Sequence, residues 1–174
     1  MLFLSLVFAS GCLVANQSTE PEYDKRFLNI GVIGDVPNKS FTNVSFEKVE
    51  PTALKDTSAK YDAFFITDYY FDELSKEEWK PIFSKIPTPV FFINLDVEAF
   101  IYRVDGMTYE NAPEATMHTK GFVSNADGSI QGWGYGNPST STNVNDTPES
   151  IFHLIFRDIE QFWKTKENLV GHSI

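Results

Sequence analysis

The chain has 174 residues, 42% of them hydrophobic and 15% aromatic, with 16 phenylalanines; this composition suits one domain with a packed core and excludes a disordered chain. Its 14 Lys and Arg stand against 24 Asp and Glu, a net charge of −10, and that sign repels the phosphate backbone of nucleic acid. A single cysteine and three scattered histidines exclude an internal disulfide and a cysteine-rich zinc site.

Met1 to Phe8 form an apolar run, shorter than the roughly 20 residues a bilayer-spanning helix needs. The run ends in Ala9-Ser10-Gly11-Cys12, and from Asn16 to Arg26 the chain turns polar. This pattern resembles a bacterial lipoprotein precursor, in which an apolar leader leads to a lipobox of small residues before a cysteine. Ala9 stands where leucine is commonest in that family, and no Lys or Arg precedes the run. The resemblance, which covers the first dozen residues, implies a signal peptide over 1–11, cleavage between Gly11 and Cys12, and a diacylglycerol-derived group on Cys12. A further acyl chain such as palmitate would go on the new amino group, and residues 12–26 would form a flexible tether. Two acyl chains, at about 0.8 kcal/mol per buried CH2, give stable attachment where one is marginal. The competing reading takes residues 1–12 as a buried first element with Cys12 as a core thiol. Beyond the lipobox the chain is similar in general pattern to small lipoproteins of Gram-positive bacteria, a likeness with no catalytic motif to carry over.

From Phe27 the sequence reads as a folded domain. Phe27 to Gly34 is a nearly continuous apolar run stopped by Asp35-Val36-Pro37-Asn38, the pattern of a buried strand and turn. Val44 to Val49 alternates imperfectly and predicts a less central strand; Pro51 to Lys60 suits a short helix, and Tyr61 to Thr67 a second interior strand. Ser75-Lys76-Glu77-Glu78 fits a capping box, and Trp79, Ile82, Phe83 and Ile86 follow at helical spacing up to Pro87. Val90 to Leu95 is the next strand, so residues 61–95 predict a parallel strand-helix-strand unit. Phe100 to Val104 reads as a strand or a helix end. Asp127-Gly128, between Lys120–Ser124 and Ser129–Tyr135, signals an antiparallel hairpin. Gly136 to Asn145 is a polar loop, and Thr147-Pro148-Glu149 opens a long helix carrying Ile151, Leu154, Ile155, Ile159, Phe162 and Trp163, expected to end before Gly171.

Three apolar strands each end in an aspartate: Asp35, Asp68 and Asp96. Parallel strands would set all three on the carboxyl edge, where open α/β sheets place ligands, and there they could hold a hard divalent cation or sugar hydroxyls. Equally, each could cap the turn that follows it. Gly31 and Gly34 do not make a dinucleotide fingerprint. Gly132-Trp133-Gly134-Tyr135-Gly136 offers a candidate aromatic platform in Trp133 and Tyr135, against the commoner reading of a strand whose Trp enters the core. His118 and His153 stand in no catalytic motif, and His172 lies in the tail. The Asn-X-Ser/Thr matches at Asn16, Asn38, Asn43 and Asn145 reflect a composition rich in Asn, Ser and Thr.

The sequence therefore predicts a single α/β domain over 27–170: a mixed sheet with a central parallel β-α-β unit, an antiparallel hairpin extension and a long C-terminal helix. Its expected role is that of a lipid-anchored binding or interaction protein on the extracytoplasmic face of the cell membrane, needing no cofactor, with a protein or small molecule as partner. The alternative is a surface metal-dependent hydrolase working through Asp35, Asp68 and Asp96. A two-lobed solute-binding component would need more than the roughly 150 folded residues present.

Overall fold

The computed structural model describes residues 26–56 and 60–171; the leader over 1–11, Cys12, the tether as far as residue 25, and His172 lie outside the described residues. Six strands form one mixed sheet in the order β2-β1-β3-β4-β5-β6. They are β1 (Leu28–Ile33), β2 (Val44–Lys48), β3 (Ala63–Ile66), β4 (Val90–Phe92), β5 (Thr119–Ser124) and β6 (Ile130–Tyr135). The first four run parallel, and the β5–β6 hairpin adds to β4 in antiparallel register. This is the α/β architecture the sequence predicts, with β2 on one edge and β6 on the other.

Both faces of the central strands are buried, which is why β1, β3 and β4 read as apolar runs without alternation. One face packs against the long helix α3 (Glu149–Gly171), which runs on to Gly171 rather than stopping short of it. Here Phe65, Phe91, Phe152, Phe156 and Ile159 are fully buried, and the Phe65 and Phe156 rings lie nearly parallel at 6.4 Å. The opposite face is covered by short pieces: 3-10 turns, α1 (Phe71–Leu74) and α2 (Lys80–Phe83). Their core joins Phe71, Phe83, Phe92, Tyr102 and Phe122, with Tyr102 stacked on Phe92 at 3.9 Å and its hydroxyl donating to the Phe71 carbonyl at 3.1 Å.

The helix expected from Ser75 is broken. Ser75 caps the end of α1 instead, its hydroxyl donating to the Asp72 carbonyl and accepting the Tyr109 N–H. Pro81 is the reason: it has no N–H and its ring excludes the carbonyl four residues earlier, so it is accommodated only in the first turn of the separate helix α2. The Phe100–Val104 region is a 3-10 helix over Ala99–Arg103, and Pro51–Lys55 is likewise 3-10.

Candidate functional site

The carboxyl ends of β1, β3 and β4 do share one edge, and Asp35, Asp68 and Asp96 follow them. Gly34, at φ +109°, turns the chain out of β1 where the Thr67 hydroxyl fills the space a Cβ would need; that hydroxyl accepts the Asp35 N–H at 2.6 Å. Asp68 accepts its neighbour Tyr69 N–H at 2.9 Å, and Asp96 accepts the Tyr109 hydroxyl at 2.6 Å. Burial, that hydrogen bond, and the charges of Asp96, Asp68 and Asp72 push the Tyr109 phenol well above its ordinary value. The structure thus gathers Asp68, Asp72 and Asp96 around Tyr109, while Asp35 is absent from that group. Among the described residues no three His, Cys, Asp or Glu side chains are grouped to hold a metal ion.

The same edge is roofed by the chain itself. The loop after β6 crosses it: Asn94 Nδ2 donates to the Asn143 carbonyl at 3.0 Å, Asn38 N–H to Asn145 Oδ1 at 2.8 Å, Lys39 to the Asn145 carbonyl at 3.2 Å, and Thr142 Oγ1 lies 3.5 Å from Asp68. Residues 142–145 thus cross the edge where open α/β sheets leave a ligand crevice at the strand-order reversal. His118, just before β5, is buried; its N–H donates to the Gly136 carbonyl at 3.2 Å, its Nδ1 meets Thr119 Oγ1 at 2.9 Å, and burial lowers its pKa.

Trp133 and Tyr135 also pack inward. Tyr135 is 6% exposed and donates to Asp158 on α3 at 2.8 Å; burial and that carboxylate raise its pKa. Trp133 is half-buried between Phe91 and Phe162. Gly121 makes this possible, since a Cβ there would enter the Phe91 ring. The pair braces the hairpin against α3 rather than offering a flat platform. His153 lies in α3 with its ring edge-on to Phe41 at 5.4 Å.

A different feature lies at the opposite, amino edge. An open groove of about 670 Å3 runs between the hairpin tip, the segment before β4 and the last turns of α3, a volume in the range of ligand sites. Pro87, Ala126 and Phe162 give it apolar lining; Gln131, Gln161 and Thr165 supply amides and a hydroxyl; Lys85 and Lys166 supply charge. The Lys166 ammonium sits 4.8 Å from the Trp163 ring centre, and no carboxylate pairs with it or with Lys85 among the described ion pairs. Asp127, also on the rim, is occupied by the Ser129 N–H and hydroxyl, whose hydrogen bonds lower its pKa. The sequence reading missed this groove because its walls come from three separated segments.

No protein-family model matches the chain, no curated protein matches its sequence, and no solved structure matches its fold.

Proposed function

We propose that this protein is a lipid-anchored binding module on the extracytoplasmic face of the cell membrane, attached through Cys12 and engaging its partner at the amino-edge groove. The observation that carries the reading is the placement of the only cysteine, at the junction of an apolar leader and a polar stretch, directly after Ser10-Gly11. Arg26, where the described chain begins, pairs with Asp62 at 2.7 Å and with Glu167 near the end of α3 at 3.2 Å, so the chain enters the domain at the amino edge, the edge that carries the groove. No helix among the described residues is long and apolar enough to cross a membrane.

The test is fractionation of bacterial cells expressing the wild type beside Cys12→Ala. The wild type should sediment with membranes through high-salt washing and enter detergent, whereas the variant should be released or accumulate with its leader intact. Equal partition of the two proteins would overturn the reading.

A further inference from the structure

We infer that the outer edge of β6, together with the groove beside it, takes an extended acidic peptide segment as an added strand of the sheet; this deepens the binding-module reading and rests on it for its biological setting.

The first observation is an open edge. Ser124 donates its N–H to the Ile86 carbonyl on the β4 side, and Asn125 donates to Ser129 across the hairpin. Peptide groups alternate along a strand, so Gly121 and Val123 turn toward β6, where they face Trp133 and Gln131. Ile130, Gly132 and Gly134 therefore point their N–H and C=O groups away from the sheet, and no described hydrogen bond uses them. Protein edges are ordinarily blunted by charge, proline or a bulge. The other edge, β2, carries exposed Glu47 and Lys48. Strand β6 has none of these devices: it reads Ile-Gln-Gly-Trp-Gly-Tyr and is paired with β5 over all six residues.

The second observation fixes the occupant. A strand laid along β6 would place alternate side chains on the α3 side, next to the groove that Gln131 of β6 lines together with Ala126 and Phe162. The same groove is lined by Lys85 and Lys166, two ammonium groups with no ion pair among the described residues, in a chain of net charge −10. Those cations match carboxylate side chains on an otherwise apolar, extended segment. Asp127 on the same rim is held by the Ser129 N–H and hydroxyl, and Glu167 near the end of α3 pairs with Arg26.

The experiment uses the full chain, isotopically labelled and held in detergent, with two blocked synthetic probes: Val-Thr-Val-Thr-Val-Glu-Glu and the same peptide ending in Lys-Lys. The acidic probe should bind, slow the amide exchange of Ile130, Gly132 and Gly134 by about tenfold or more, and outcompete the basic one. Gly132→Pro removes an outward N–H and leaves the β5 pairing intact; a Cβ there meets only the Gly121 carbonyl at 3.7 Å. It should weaken binding by about tenfold, Gly132→Ala by less than about twofold, and Lys85→Glu with Lys166→Glu should reverse the preference between probes. Absence of binding, binding that leaves the three amides exchanging freely, or amides already protected by a second copy pairing at β6, seen as a dimer in sedimentation, would each overturn the inference. Failure here leaves anchoring at Cys12 intact, and an unmodified Cys12 leaves this binding intact, so the two readings fail separately.

Discussion

Gly34 shows how one backbone angle organises the carboxyl edge. Its φ of +109° is a conformation that side-chain-bearing residues rarely adopt, and the Thr67 hydroxyl stands where a Cβ would project. Gly34→Ala should therefore cost about 2–4 kcal/mol, from backbone strain plus displacement of Thr67 from the Asp35 N–H, measurable as a lowered urea midpoint. His118 makes a separate, pH-dependent contribution. Burial depresses its pKa below the ordinary 6.5, so on acidification the unfolded chain takes up a proton that the folded chain resists, and stability falls. Between about pH 7 and about pH 5 the unfolding free energy should drop in the wild type and drop less in His118→Gln. The sequence showed a glycine after a strand and a histidine outside any motif. It could not show that Thr67 would stand against Gly34 or that Gly136 would pack on His118, because those partners come from the end of another strand and from the loop after β6.

At the scale of elements, legibility followed the strength of the local signal. β1, β3 and β4 were readable because burial on both faces leaves an unbroken apolar run, and the hairpin because Asp127-Gly128 supplies a turn, with Gly128 at φ +83°. The helix from Ser75 was misread because capping box and helical spacing outvoted Pro81, which the backbone cannot ignore. That break has an energetic consequence at Lys80. In an uninterrupted surface helix this lysine would face water, whereas in α2 it is 2% exposed and its ammonium donates to the Ile101 and Met107 carbonyls. Burial lowers its pKa, yet those two carbonyls hold the connection between β4 and β5 against α2. Lys80→Met should destabilise by about 2–4 kcal/mol by orphaning both acceptors, with the loss visible as faster amide exchange around Tyr102 and Met107. The groove and the open edge were not legible, since each depends on which strand ends up outermost and where α3 stops.

For the whole molecule, the two edges of the sheet divide the work. The carboxyl edge, where the three aspartates pointed, is closed by the loop that reaches Asn38, Lys39, Asp68 and Asn94. The amino edge carries the groove, the end of α3 and the entry of the chain at Arg26. On the proposed reading, an anchor and a binding surface on one edge would bring a partner close to the membrane. The measurement that tests this most directly is the intact mass of the full-length protein purified from a bacterial membrane fraction, with peptide mapping of its N-terminus. The account predicts loss of residues 1–11 and added diacylglyceryl and acyl mass on Cys12. A chain recovered with Met1 through Cys12 intact and carrying no lipid would contradict it.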